Sequence, residues 1–220
     1  MDIRHVIFDI DGTLWDAAQQ VTEAWNLVLE RYEETKGIRL TVSDMYRFMG
    51  HPMKTIAEMM MPGLPDAKQD EIMNVCMAEE NDYLETHSGT FYPGVEKTFL
   101  QLKQEGYKLY IVSNCQDGYI QVMMKNGGLE KDITDFESNG RTGKFKADNI
   151  CLVLERNGIP KEAAVYVGDT PMDEIATREA GLRFIHAAYG YGKAEAPDAV
   201  IGSIKELPEA LREMKEGGKF

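Results

Sequence analysis

Two carboxylates two residues apart follow the first apolar run of this 220-residue chain. The run covers residues 4–10 and predicts a buried strand that delivers Asp9 and Asp11 to the carboxyl edge of a sheet. Ligands bind at that edge in open α/β sheets. Acids held this close repel each other, so a cation or a proton must offset them. A site with a nucleophilic carboxylate, an acid/base carboxylate and a divalent metal needs such a pair.

The same residues fit a calcium loop poorly. Asp11-Gly12 is a common turn sequence when it stands alone. A calcium loop that began at Asp9 would need oxygen ligands at spaced positions and a glutamate at the twelfth. Thr13 is the fifth residue and Gln20 the twelfth, which excludes that loop.

Polar residues also close two later predicted strands. Ser113-Asn114 follows one of them, and its hydroxyl and nearby backbone N–H groups can bind phosphate oxygens, although an ordinary turn explains the pair equally well. Asp169 follows another, where a carboxylate without a partner would be costly to bury. We predict that this partner is a metal shared with Asp9. Asp173 lies in the first turn of the next helix, which also suits the helix dipole.

A lysine between these segments is expected to offset the carboxylates and a bound phosphate. Lys144 and Lys146 are both candidates, and Lys146 is closer to the predicted start of a helix. The Gly-rich surroundings do not form a P-loop, which needs Ser or Thr after its Gly-Lys. Phe145 follows Lys144 instead, and Ser138 stands where the first glycine should be.

Charge and composition narrow the class of protein. The formal net charge is −13, which argues against nucleic acid and anionic membranes as partners. The N-terminus has no signal-peptide pattern, and no apolar run reaches membrane-spanning length. Three scattered cysteines, Cys76, Cys115 and Cys151, are typical of reduced thiols, so we expect a cytoplasmic protein.

Hydrophobic periodicity predicts a helical insert within an alternation of strands and helices. In the insert, Val21, Trp25, Val28 and Leu29 share one face of a long helix, and further helices are predicted near residues 41–49, 52–61 and 66–86 with no strand. Outside it, strands are predicted near residues 4–10, 107–113, 133–137, 164–168, 183–187 and 198–201, and helices near 94–105, 117–126, 147–157, 171–180 and 206–215.

This alternation predicts an α/β fold with a doubly wound parallel sheet covered on both faces. We assign residues 1–15 and 89–220 to the core and residues 16–88 to a small all-helical cap inserted after strand one. An insert at that point would be hinged over the carboxyl edge of the sheet.

Four elements of the sequence, taken in order, resemble the haloacid dehalogenase-like (HAD) hydrolase superfamily. They are Asp9-Ile10-Asp11-Gly12-Thr13, Ser113-Asn114, a lysine at 144 or 146, and Gly168-Asp169 with Asp173. They span nearly the whole chain, and each falls at a predicted strand end or loop. The resemblance implies a Rossmann-like core with a C1-type helical cap, as in the phosphoglycolate phosphatase and β-phosphoglucomutase subgroup.

The resemblance also implies a role for each residue. Asp9 would attack phosphorus to form an aspartyl-phosphate, and Asp11 would protonate the leaving oxygen and then activate water. Mg²⁺ would be held by Asp9, the Asp11 carbonyl and Asp169, with Asp173 as a further ligand or a support for one. The phosphoryl oxygens would be held by Gly12, Thr13, Ser113, Asn114 and Lys146 or Lys144.

The second acid favours phosphoryl chemistry over dehalogenation. We therefore expect a phosphatase for a small phosphomonoester, of the phosphoglycolate or the nucleotide type, that is a monomer or a weak homodimer. A phosphomutase or other HAD phosphotransferase is the alternative, although Val21 occupies the position of the mutase cap histidine. A phospho-receiver module or a catalytically silent binding protein is less compatible with Asp11 and the cap. Arg47 lies between two cap helices and could bind an anionic leaving group, or could be a solvated helix residue.

Overall fold

A parallel sheet with helices on both faces forms the centre of the molecule. The computed structural model describes residues 2–216. Its strands are β1 (His5–Phe8), β2 (Trp15–Asp16), β3 (Thr90–Phe91), β4 (Lys108–Ser113), β5 (Ile133–Ser138), β6 (Ala164–Gly168), β7 (Arg183–Ala187) and β8 (Ala199–Ile201). Six of them form one sheet in the order β5-β4-β1-β6-β7-β8, and every neighbouring pair is parallel.

Within residues 2–216, four α-helices lie between β2 and β3, and six α-helices follow β3. The first group is α1 (Ala18–Leu29), α2 (Val42–Phe48), α3 (Met53–Met60) and α4 (Asp66–Leu84). The second is α5 (Val95–Gln104), α6 (Tyr119–Gly127), α7 (Asn139–Thr142), α8 (Lys146–Arg156), α9 (Pro171–Ala180) and α10 (Leu207–Glu216).

Side-chain alternation along the strands divides the core into two faces. Val6 and Phe8 of β1 point to one face and Ile7 to the other, as the pleat of a strand requires. The first face packs against α5, α6 and α10, and the second against α8 and α9. The predicted α/β fold with a doubly wound parallel sheet is therefore confirmed.

The apolar core continues from the sheet into the helices between β2 and β3. Helix α1 packs along α4, and α4 reaches α6 of the sheet layer. Trp25 and Cys76 on these helices belong to the same buried cluster as Val6 and Phe8 of β1. Burial of shared apolar surface therefore holds the helical segment against the sheet.

The sequence pattern does not predict β2 and β3. These two-residue strands pair antiparallel, with Trp15 opposite Phe91 and Asp16 opposite Thr90. The expectation of no strand within residues 16–88 is therefore wrong at Asp16, because two residues are too few to show an alternating pattern. The chain leaves the sheet through β2 and returns through β3, close to the predicted cap boundaries. The division into cap and core itself stays a prediction.

The predicted strands and helices of the core occur in the predicted order, with ends that move by a few residues. Strand β1 is shorter than residues 4–10 because the chain already turns at Ile10, whose carbonyl accepts hydrogen bonds from the N–H groups of Thr13 and Leu14. Short helix α7 has no counterpart in the predictions. Among residues 2–216, no helix combines the length and apolar character needed to traverse a lipid bilayer.

Packing of α5 on the sheet gives the first testable prediction. Phe99 is fully buried, and its ring centroid lies 5.0 Å from that of Phe8. We expect Phe99→Ala to lower the free energy of unfolding by about 3–5 kcal/mol in urea denaturation, because lost burial and the remaining cavity add. The neighbouring Leu100 is 58% exposed. Its change to Ala should stay within about 0.5 kcal/mol of the wild type, and equal losses in both variants would contradict this packing.

Candidate active site

Three neighbouring strands bring the predicted polar residues to one edge of the sheet. Strand β1 lies between β4 and β6, and adjacent strands are about 4.8 Å apart. Asp9 directly follows β1, Ser113 ends β4 and Asp169 directly follows β6. Residues far apart in the chain therefore meet because their strands are neighbours.

Asp9, Asp169 and Asp173 form a buried acidic cluster. One carboxylate oxygen from each lies within 4.8 Å of the others. Asp173 also completes a capping box at the start of α9, where its Oδ2 accepts hydrogen bonds from the Thr170 N–H at 2.9 Å and the Thr170 hydroxyl at 2.7 Å. The Asp169 N–H donates to the same oxygen at 3.2 Å. The helix cap thus aims the other oxygen of Asp173 at the cluster.

Lys146 is the cation of this cluster. Its Nζ lies 2.5 Å from Asp173 Oδ1 and 3.0 Å from Asp9 Oδ1, and its side chain is 2% exposed. The contact with Asp9 lacks hydrogen-bond geometry, and Asp9 Oδ1 has no hydrogen-bond partner among the described residues. Of the two candidate lysines, Lys144 is exposed and precedes α8, whereas Lys146 begins the helix and faces inward. We therefore keep Lys146 and leave Lys144 out of the site.

Burial of the acids governs the electrostatics of the cluster. Burial and the neighbouring Asp173 carboxylate raise the pKa of Asp9, although Lys146 acts in the opposite direction. Burial, Asp173 and Asp9 raise the pKa of Asp169 well above its usual range. Burial alone would lower the pKa of Lys146, but Asp173 and Asp9 outweigh it and raise that pKa. One ammonium thus faces three carboxylates.

The donor set fits a hard divalent cation. All three side chains offer carboxylate oxygens, the ligands that Mg²⁺ and Ca²⁺ prefer. The Lys146 ammonium at 3.0 Å is the one side-chain partner of Asp9 Oδ1 among residues 2–216, so this buried oxygen has capacity for a further ligand. A dication would offset the negative charge that Lys146 leaves uncompensated.

Asp169 is held by the loops on either side of it. Gly12 has φ +79°, and a Cβ there would lie 2.2 Å from Asp169 Oδ2. The Thr13 hydroxyl donates to Asp169 Oδ1 at 3.2 Å, and the Tyr191 N–H donates to Oδ2 at 2.8 Å. A Cβ on Gly190 would also lie 2.3 Å from the Cβ of Asp169. Glycine at both positions therefore permits this close approach, and the Thr13 hydroxyl orients an acid.

Asp11 lies outside the acidic cluster and faces a small cavity. Burial raises the pKa of its carboxyl group to about 8, while a hydrogen bond from Tyr119 acts in the opposite direction. That bond runs from the Tyr119 hydroxyl to Asp11 Oδ1 at 2.6 Å. The cavity encloses about 30 Å³ between Asp11 and Tyr119 on the sheet side and Trp25, Met49 and Glu80 on the opposite side. We call it the cap cavity.

Two other predicted residues have different surroundings. Asn114 lies at the edge of the sheet, but its Nδ2 donates to the Gly50 carbonyl of the helical segment at 2.9 Å, and its Oδ1 has no partner among the described residues. Arg47 forms an ion pair with Asp44 on the same helix, and its side chain is 69% exposed. We therefore leave Arg47 out of the site.

Sequence reasoning did not identify Tyr119, Glu80 or Tyr191. Tyr191 stands between two glycines shortly after a predicted strand, which is a recognisable loop signal at the same sheet edge. Tyr119 and Glu80 lie within helical patterns and carry no local signal. Only the approach of α4 and α6 brings them beside Asp11.

Comparison with known proteins identifies a family over most of the chain. The family model described as haloacid dehalogenase-like hydrolase matches residues 6–187. A phosphoglycolate phosphatase of Cupriavidus necator is 26% identical over 215 residues, covering 94% of this chain and 92% of its own. A phosphoglycolate phosphatase of Cereibacter sphaeroides is 27% identical over 217 residues, covering 95% of this chain and 98% of its own.

Solved structures show the same fold. A predicted phosphatase from Clostridium acetobutylicum superposes with a TM-score of 0.81 at 24% identity, over 97% of this chain and 100% of the other. A haloacid dehalogenase-like family hydrolase from Streptococcus pneumoniae superposes with a TM-score of 0.80 at 21% identity. The superposition covers 94% of this chain and 98% of the other. With the family model matching most of its length, this chain belongs to the haloacid dehalogenase-like hydrolase family.

Proposed function

We propose that the protein is a Mg²⁺-dependent phosphatase that hydrolyses a small phosphomonoester through an aspartyl-phosphate on Asp9. The observation that carries the proposal is the buried cluster of Asp9, Asp169 and Asp173 with Lys146 at the carboxyl edge of the sheet. Neither a structural ion pair nor a helix cap accounts for three buried acids around one lysine. Asp11 beside them supplies a second carboxyl group that faces a different space.

The proposed reaction has two steps. A carboxylate oxygen of Asp9 attacks phosphorus, the bond from phosphorus to the ester oxygen breaks, and the leaving alcohol takes a proton from Asp11. Asp11, now a carboxylate, removes a proton from a water molecule that attacks the same phosphorus. The bond between Asp9 and phosphorus then breaks, so inorganic phosphate leaves and both acids return to their starting states.

Residues that position Asp9 and Asp169 explain why the nucleophile can work. Lys146 holds Asp9 Oδ1 from one side, and its ammonium would also attract the oxygens of a phosphoryl group. The Thr13 hydroxyl and the Tyr191 N–H fix the orientation of Asp169. We propose Ser113 and the backbone N–H groups after Asp9 as further phosphate contacts, because they share this edge of the sheet.

Asp9, the Asp11 carbonyl, Asp169 and Asp173 are the proposed holders of Mg²⁺, with Asp173 as a direct ligand or as a support for Asp169. When bound, the ion would lower the repulsion between the phosphoryl group and the acids and stabilise negative charge in the transition state. The all-oxygen donor set supports this choice of metal.

A small phosphorylated metabolite is the proposed substrate. The relatives named phosphoglycolate phosphatases support a small phosphomonoester for this chain. The three cysteines are free thiols, which supports a reducing compartment, and we propose a cytoplasmic location.

Continuous turnover is the primary test of the proposal. Purified protein with Mg²⁺ should release inorganic phosphate from p-nitrophenyl phosphate through many cycles. A phospho-receiver would stop after one phosphoryl group per chain, and a phosphomutase would isomerise a sugar phosphate without releasing phosphate. Either result would contradict the proposed phosphatase activity.

Replacement of the nucleophile is the second testable prediction. Asp9→Asn should reduce turnover of p-nitrophenyl phosphate by at least about a thousandfold, because an amide cannot form the acyl-phosphate. Circular dichroism should show an unchanged fold, since the side chains are nearly isosteric. Asp82→Asn makes the same chemical change at an exposed site of α4 and should retain full activity. Residual activity of Asp9→Asn near the wild-type rate would contradict the assignment.

The two nearby lysines provide the third prediction. Lys146→Met should lower kcat by at least about a hundredfold, because it removes the cation beside Asp9. Measured in EDTA, it should also lower the free energy of unfolding by about 3 kcal/mol, since three buried acids lose their ammonium partner. Lys144→Met is the matched control at an exposed position, with kcat and stability expected close to wild type. Comparable loss of activity in both variants would show that Lys146 has no special role.

Metal removal provides the fourth prediction. EDTA should abolish turnover and excess Mg²⁺ should restore it. Independently of activity, Mg²⁺ at 100 times its Kd should stabilise the wild type by about 2.7 kcal/mol in urea denaturation, because it binds only the folded state. Asp169→Asn should lose most of this stabilisation, whereas Asp82→Asn should keep it. A protein that stays fully active in EDTA would contradict the metal assignment.

A further inference from the structure

The cap cavity is the space into which Asp11 can deliver a proton. The general acid must touch the oxygen of the leaving alcohol, and Asp11 lines this cavity together with residues of α1, α2, α3 and α4. If the proposed function holds, the leaving alcohol therefore extends into the cap cavity. Its volume of about 30 Å³ corresponds to roughly two water molecules, so a short alcohol fits inside it, whereas the aromatic ring of p-nitrophenyl phosphate would extend beyond it.

Glu80 is a buried acid at the far side of this cavity. Its side chain projects from α4 and is 2% exposed. The Trp25 Nε1–H donates to Glu80 Oε2 at 2.5 Å, which fixes the carboxyl group in the cavity wall. The reaction proposed above does not use Glu80. Burying an ionisable group costs free energy, so the buried position of Glu80 requires a separate explanation.

Most side-chain donors around the cavity are already engaged. The Trp25 N–H donates to Glu80, the Tyr119 hydroxyl donates to Asp11, and the Gln116 amide Nε2 donates to Asn81 Oδ1 at 3.2 Å. The Gln116 side chain also hydrogen-bonds with the Glu80 carboxyl group, and this contact lowers the pKa of Glu80. By contrast, Gln116 Oε1 is buried without a hydrogen-bond partner in the described part of the chain. Apart from the proton that Asp11 delivers, the wall therefore presents acceptor oxygens to whatever enters.

The cavity wall offers no positive charge. Glu80 lines it together with Asp11, which carries a proton in the proposed first step, and no lysine, arginine or histidine does so among residues 2–216. Arg47, the cation that the sequence suggested for this role, pairs with Asp44 at the exposed surface. Burial raises the pKa of Glu80 to about 7, so an anionic guest would require Glu80 to keep its proton, whereas a donor group suits the carboxylate.

We propose that Glu80 and Gln116 select a leaving alcohol that carries a hydrogen-bond donor, a hydroxyl or an ammonium group, and disfavour one that carries a carboxylate. The substrate class is then the monophosphate of a short diol or amino alcohol. This inference rests on the proposed phosphatase activity. It gives this chain a substrate preference other than phosphoglycolate, the compound after which its relatives are named.

Three esters of matched length test the proposal. They are 2-hydroxyethyl phosphate, 2-aminoethyl phosphate and phosphoglycolate, which differ mainly in the group that would face Glu80. We expect kcat/KM of the wild type to be at least tenfold higher for the hydroxyethyl or the aminoethyl ester than for phosphoglycolate. Equal values, or a preference for phosphoglycolate, would overturn the inference.

The role of Glu80 itself is tested by Glu80→Gln. This variant keeps the shape of the side chain, removes its charge and adds a donor. The kcat/KM for phosphoglycolate should rise about tenfold, mainly through a lower KM, and kcat/KM for the preferred ester should fall about tenfold, because its donor group loses a charged acceptor. Glu79→Gln is the control, because it makes the same change at the preceding position, where the side chain is 37% exposed and pairs with Arg31. This variant should leave the selectivity among the three esters unchanged.

The outcomes separate the inference from the proposed function. Absence of turnover with every ester, including p-nitrophenyl phosphate, would overturn both. Turnover of p-nitrophenyl phosphate without turnover of the hydroxyethyl and aminoethyl esters would overturn the inference alone. Unchanged selectivity in a folded Glu80→Gln would remove Glu80 as the selecting residue. The wild-type comparison of the three esters remains decisive even if that variant fails to fold.

Discussion

Repulsion among buried carboxylates is the constraint on which this structure depends. Asp9, Asp169 and Asp173 lie together in the protein interior, where like charges interact strongly. Lys146 offsets part of this charge from the first turn of α8. The negative charge that Lys146 leaves uncompensated is the physical basis of the proposed Mg²⁺ site.

Architecture keeps these groups in place despite their repulsion. Asp9 and Asp169 directly follow adjacent strands of a sheet that packs against helices on both faces, so neither can withdraw to solvent without disrupting the core. Asp173 gains a second function as the capping residue of α9, and its hydrogen bonds to Thr170 hold it in position. Gly12 allows the loop after β1 to pass close against Asp169.

The helical segment closes over the sheet edge beside Asp11. Its helices share one apolar cluster with the sheet and close a small cavity over Asp11. Apolar residues fill most of the wall of that cavity, and Glu80 supplies its one buried acid from the helical side. In the proposed reaction, the sheet edge supplies the nucleophile, and the residues that line the cap cavity, Glu80 among them, select the leaving group.

The sequence alone determined the parallel α/β fold, the order of its core strands and helices, and the acids at the strand ends, because periodicity and strand-end polarity are local properties. It left Lys144 and Lys146 open, since both lie close to the predicted start of the same helix and only the direction of the first turn of α8 separates them. The paired strands β2 and β3 were too short to leave a pattern. Only the tertiary structure placed Glu80 and Tyr119 beside Asp11, because that contact depends on how α4 packs against α6, which no local pattern specifies.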